Sequence, residues 1–180
     1  GYILLLAHLV VASLFHQRWC IITPEERGCP IALETVSTFW ANLGAKVEIM
    51  DAPHHDMVLA VTSHLPHMIA YTIVGTASEL EEVTESEVIK YSAGGFRDFT
   101  RIAASDPVMW RDIFLNNKDA VLNTLQRFNE DLTVLQQAIR KGDADKLEGW
   151  FTRTRKIRRS IIDEGQDDPA PDFGRRHGKE

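Results

Sequence analysis

Between His54 and Trp110 the sequence gathers side chains that can bind anions, ligate metals or move protons: His54, His55, Asp56, His64 and His67, then Arg101 and Trp110. A metal centre needs three or four ligands converging on one point. On a single helix, however, His55 and His67 stand roughly 18 Å apart along the axis, and only His64 and His67 are one turn apart. No metal is expected there. An anion site fits better. Arg101 lies in Phe99-Thr100-Arg101-Ile102-Ala103-Ala104, where part of the guanidinium must run over apolar surface and a carboxylate is its natural partner. Two sources of that carboxylate remain open on spacing alone: a bound acid, or a protein group such as Asp56 or Asp98. His64, on an otherwise apolar helix face, reads as a supporting residue satisfied by a local hydrogen bond. Trp110, at helical spacing from Phe114, either packs in the core or forms an aromatic wall.

These groups need elements to hold them. Arg18 to Thr23 reads as a short apolar strand stopped by Pro24, followed by a helix with Ile31, Val36, Phe39, Trp40 and Leu43 on one face and Gly44 at its end. Lys46 to Met50 alternates as a second strand. Two strands with no further neighbours are marginal, and their edges offer unpaired backbone groups to other chains. From Asp51 the pattern turns helical, with Pro53 in the first turn and Met57, Val58, Val61, Leu65, Met68, Ile69, Ile73 and Val74 as a broad apolar stripe. Pro66 lies inside that helix, and an irregularity amid the histidines is expected from its missing N–H.

Glu79 to Glu87 reads as an acidic surface face or connection. Gly94-Gly95 admits a turn into a helix carrying Phe96, Phe99, Ile102 and Ala103. Ser105-Asp106-Pro107 is a helix start leading to Met109, Trp110, Ile113 and Phe114. Two more helices are expected, over Ala120 to Ile139 and Asp143 to about Ile162, and the tail from Asp163 has too little apolar content to fold.

The bulk properties exclude several classes. A net charge of −6 argues against binding driven by phosphate neutralisation, so no nucleic acid is expected. The one basic run, Arg153, Arg155, Lys156, Arg158 and Arg159, suits a helix C-terminus instead. Two cysteines, Cys20 and Cys29, make no disulfide framework and no CxxC pair, which suits a reducing cytoplasm. The apolar start Gly1 to Ala12 is too short to span a bilayer, for which about 20 residues are needed. It also lacks a basic flank and a cleavage pattern, so neither export nor membrane attachment is expected. Its simplest reading is an exposed apolar face prone to association.

Two blocks carry more than periodicity. The first is His55-Asp56-Met57-Val58-Leu59-Ala60 with Ser63-His64-Leu65-Pro66-His67; the second is Gly94-Gly95-Phe96-Arg97-Asp98-Phe99-Thr100-Arg101-Ile102-Ala103-Ala104-Ser105-Asp106-Pro107 with Met109-Trp110-Arg111-Asp112. From roughly Ala12 to Ile161 the chain resembles the C-terminal half of the prephenate/arogenate (cyclohexadienyl) dehydrogenases, hydride-transfer enzymes of tyrosine biosynthesis. The resemblance implies a mostly α fold. Residues 1–50 would be the remnant strand–helix–strand of a Rossmann-type dinucleotide-binding domain, 51–162 an all-α substrate-binding and dimerisation domain, and 163–180 a disordered tail.

The resemblance also implies roles. Arg101 would bind a substrate carboxylate, with His55 and His67 lining the same pocket. Trp110 is a candidate wall of that pocket, and Asp56 and His64 are candidate supports behind it. The reaction would be oxidative decarboxylation of prephenate or arogenate with NAD or NADP. No GxGxxG turn occurs in these residues, and the family's catalytic histidine belongs to a segment before the resemblance begins. The expectation is therefore a cytoplasmic homodimer that binds substrate, holds neither NAD nor NADP tightly by itself, and is catalytically incomplete as given. The alternative is a non-catalytic helical dimerisation module, for which the long apolar stripes of the last two helices are suited.

Overall fold

The structure, a computed structural model, describes residues 14–81 and 94–163. The apolar start at 1–12, the acidic stretch from 82 to 87 and the tail at 164–180 lie outside the described residues. The chain forms two compact units, Gly1–Leu125 and Gln126–Glu180.

The first unit opens with the expected strand–helix–strand piece. Strand β1 (Trp19–Ile22) pairs in parallel with β2 (Lys46–Ile49), with Trp19 opposite Lys46 and Ile22 opposite Ile49. Helix α1 (Pro30–Asn42) connects them and starts on a proline, whose missing N–H is not needed in a first turn. Gly44 ends the crossover with a left-handed φ of +88°, and an added Cβ there would meet His16 Nδ1 at 3.0 Å. Trp19, Ile31 and Phe39 all remain exposed. Part of the apolar surface of this piece is therefore not covered by the described residues.

A long helical run follows, α2 (Ala52–Leu59), a wide turn (Ala60–His64) and α3 (Leu65–Glu81). Asp51 caps its start, with Oδ1 accepting from the His54 N–H at 2.8 Å. The buried positions along it are His64 and three alanines, Ala60, Ala70 and Ala77, whose small side chains let neighbouring elements approach closely. Much of the apolar stripe read from the sequence is on the outside: Met57, Val61, Ile73 and Val74 are exposed. By length and composition alone, residues 52–80 form a helix long and apolar enough to cross a membrane. Its histidines and Asp56 would be costly in hydrocarbon, however, and some of them are engaged by later helices of the same unit.

Helix α4 (Gly94–Thr100) passes into a 3₁₀ turn (Arg101–Ala104), and both pack against α3. A single helix carrying Phe96 through Ala103 was expected; the tighter turn begins at Arg101. Helix α5 (Pro107–Asn116) starts as expected, with Asp106 Oδ1 accepting from the N–H groups of Val108 and Met109 at 2.8 and 2.9 Å. Helix α6 (Lys118–Lys141) runs two residues beyond the expected span at each end. Gly142, at φ +65°, then ends it, and Asp143 caps α7 (Ala144–Asp163) by accepting from the Lys146 N–H at 3.1 Å. In the second unit Ala138 is buried, while Leu132, Ile139, Phe151 and Ile157 are exposed.

Candidate functional site

The irregularity expected at Pro66 is present as a widened turn. Pro66 has no N–H to give, and its ring would press on the carbonyl four residues back. The helix opens just before it, and the Leu65 N–H donates to the Ala60 carbonyl five residues back. Within the widened stretch the Ser63 carbonyl accepts from His67 Nδ1 at 2.8 Å. A carbonyl can only accept, so Nδ1 carries the proton. In the neutral ring the lone pair is then on Nε2, the nitrogen not bonded to Ser63.

His67 lies flat on Trp110, with ring centroids 3.6 Å apart and planes 23° from parallel. Trp110 is only 6% exposed, and its indole Nε1 has no hydrogen-bond partner among the described residues. It is thus a buried residue stacked on an imidazole. His64 meets Trp110 and Phe114 nearly at right angles, at centroid distances of 6.2 and 6.5 Å. Burial pushes the His64 pKa below its ordinary value; the neighbouring Asp56 carboxylate pulls the other way, and His55 and His67 reinforce the lowering.

His55 and Asp56 pair with each other, Nδ1 donating to Oδ1 at 3.0 Å. Asp56 joins the buried group through its backbone: Asn117 Nδ2 donates to the Asp56 carbonyl at 2.8 Å and lies 3.2 Å from His64 Nδ1. Arg101 is exposed on the 3₁₀ turn. That turn is held to α3 by Tyr71, one helical turn beyond His67, whose hydroxyl donates to the Ser105 carbonyl at 2.8 Å. Ser105 in turn donates through Oγ to the Ile102 carbonyl at 2.7 Å.

The structure therefore brings His64, His67 and Trp110 into contact and secures the Arg101 turn to the helix that carries His67. A hollow of about 580 Å³ opens beside this cluster, lined by Pro53, Asp56, Met57, Asn117, Lys118 and Asn123 among others. It includes none of His67, Arg101 and Trp110. Sequence reading missed Asn117, Phe114, Tyr71 and Ser105. Of these only Asn117 carried a signal, as half of an Asn-Asn pair that interrupts two helical patterns.

Residues 51–153 match the family described as prephenate dehydrogenase, dimerization domain. The chain belongs to the prephenate dehydrogenase family. It is 41% identical over 150 residues to the cyclohexadienyl dehydrogenase of Zymomonas mobilis, an alignment covering 83% of this chain and 51% of that protein. It is 33% identical to the prephenate dehydrogenase of Bacillus subtilis, covering 81% of this chain and 39% of that one. Among solved structures, prephenate dehydrogenase from Aquifex aeolicus in complex with hydroxyphenyl propionate and NAD+ superimposes with a TM-score of 0.80 at 36% identity, over 86% of this chain and 54% of that one. The chain thus spans about half the length of the relatives it matches, or less. The mostly helical fold with a two-stranded parallel remnant is the one the resemblance implied.

The residues present make up only a small part of a dinucleotide-binding domain. β1 and β2 are the only two strands among the described residues, and nowhere in the sequence does a GxGxxG turn offer backbone N–H groups to a pyrophosphate. No step through a nicotinamide is assigned to them.

Proposed function

We propose that these residues form the substrate-binding and dimer-forming part of an NAD- or NADP-dependent prephenate or arogenate dehydrogenase of tyrosine biosynthesis, in the cytoplasm. The observation that carries this reading is the His67–Trp110 stack, with Nδ1 of His67 spent on Ser63 and Nε2 left for a ligand.

A cyclohexadiene ring bearing a hydroxyl and carboxylates needs a flat apolar wall, a hydrogen-bonding group for oxygen and a cation for an acid group. Trp110, His67 and Arg101 are of those three kinds, and His55 adds a second imidazole. The work of these residues is orientation, holding the ring so that hydride and carbon dioxide can leave it in a defined geometry. The hydride acceptor is housed by other residues, so the chain by itself is expected to be inactive.

The partner is a second copy. Leu132 and Ile139 on α6 and Phe151 and Ile157 on α7 are too many exposed apolar groups for a solitary helical hairpin, and the matched family region is named for dimerisation.

Calorimetry with prephenate, arogenate and NAD+ tests the reading. One of the two acids binds weakly, NAD+ gives no heat, and Arg101→Ala weakens acid binding about 10- to 100-fold through loss of a charge-assisted hydrogen bond. Tight NAD+ binding, or acid binding indifferent to Arg101→Ala, overturns it.

A further inference from the structure

Asn117 occupies the junction of α5 and α6, and each of its polar groups seen to bond is committed. Its N–H donates to the Ile113 carbonyl at 3.1 Å and its carbonyl accepts from the Val121 N–H at 3.0 Å. The backbone is thereby fixed to both helices, and the carboxamide is aimed at the widened turn of the preceding helical run. Its orientation there follows from chemistry. The Asp56 carbonyl can only accept, so the nitrogen and not the oxygen of the carboxamide must face it. That places the second N–H of the same nitrogen against His64 Nδ1, which must then present a lone pair. His64 is consequently neutral and protonated on Nε2.

We propose that Asn117 is a positioning residue for the His67–Trp110 pair: by binding the Asp56 carbonyl and His64 Nδ1 together, it holds the widened turn closed and sets the His64 tautomer and ring plane against which Trp110 is seated. The two hydrogen bonds bracket the turn, Asp56 before it and His64 at its end, so one side chain fastens both sides of a helical irregularity. His64 then contacts Trp110, and Trp110 carries His67 on its face. The groups that bear on the His64 charge are Asp56, His55 and His67 from its own helical run, while Asn117, Trp110 and Phe114, which face it from α5 and the junction, are neutral. The consequence for ligand affinity rests on the function proposed above. The tautomer does not.

Nitrogen-15 NMR of the histidine rings, with calorimetry of hydroxyphenyl propionate, tests this on the protein and two variants. In the unmodified protein His64 shows an unprotonated, hydrogen-bonded Nδ1 and a protonated Nε2 at neutral pH. Asn117→Asp replaces the donor by an acceptor, and His64 Nδ1 gains a proton. Asn117→Ala removes both side-chain hydrogen bonds, leaves a mixture of tautomers, shifts Trp110 fluorescence and weakens ligand binding about 3- to 10-fold, since the loss reaches the ligand only through His64 and Trp110. A protonated Nδ1 in the unmodified protein overturns the proposal whether or not the variants fold. So does a folded Asn117→Ala with unchanged His64 signals and Trp110 emission. Absence of ligand binding by the unmodified protein counts against the proposed function and leaves the tautomer result standing.

Discussion

The segment around Asn117 and the hairpin of α6 and α7 are both helical, yet they are held in different ways. In the first, side-chain hydrogen bonds join residues 34, 53 and 61 positions apart: Tyr71 to Ser105, Asn117 to His64, and Asn117 to Asp56. In the second, Thr133 donates to Asn129, Thr154 to Trp150 and Ser160 to Ile157, each within a turn of its own helix. The first region buries polar groups and fixes them by tertiary contacts, while the second leaves Leu132 and Ile139 exposed. A buried polar cluster stores specificity inside one chain. An exposed apolar stripe is open to burial against another.

That contrast can be broken from either side. The largest effect is expected at Trp110: Trp110→Ala empties the centre of the cluster and should cost about 3–5 kcal/mol in urea unfolding, as for other large-to-small core substitutions. If the loss is below about 1 kcal/mol, the cluster is not the organised core described here. On the other side, if the proposed dimer forms through this hairpin, the double substitution Leu132→Asp and Ile139→Asp leaves folding nearly unchanged, because both positions are exposed, but raises the dimer dissociation constant about 100-fold or more by placing charge in an apolar contact. Sedimentation equilibrium reads this directly, and an unaltered dimer would move the interface elsewhere.

The smallest effect is a pH dependence. His64 has a lowered pKa when folded, so between that value and the ordinary 6.5 the unfolded chain binds more protons than the folded one. Stability is then at its full value above about pH 6.5 and falls as the pH drops through the folded pKa. Denaturant midpoints at pH 7 and pH 5 should show this loss, and His64→Gln should reduce it.

Much of the fold was legible because its signals are local. Asp106 caps a helix where a short acceptor side chain precedes proline, and Gly44 ends one at positive φ. Pro66 announced an irregularity for the same reason, since a missing N–H acts on its own turn. The burial pattern was less legible. Met57, Val61, Ile73 and Val74 are as apolar as core residues, and nothing in their spacing says that they stay outside while alanines face inward. The site was readable as a set of residue types and unreadable as a geometry: His67 and Arg101 stood out by chemistry, whereas Tyr71, Ser105 and Phe114 look like ordinary helix and loop residues until their partners are seen.

By itself the sequence determined the helices, their caps, the interruption at Pro66, and the kinship carried by its histidine and arginine blocks. All of these depend on groups within a turn or two of one another, or on whole motifs. Only the tertiary structure decided that His67 lies on Trp110, that one carboxamide spans both sides of the widened turn, and which face of the long helix is buried. Those outcomes depend on directional bonds and ring contacts between segments tens of residues apart, where spacing along the chain carries no information about orientation.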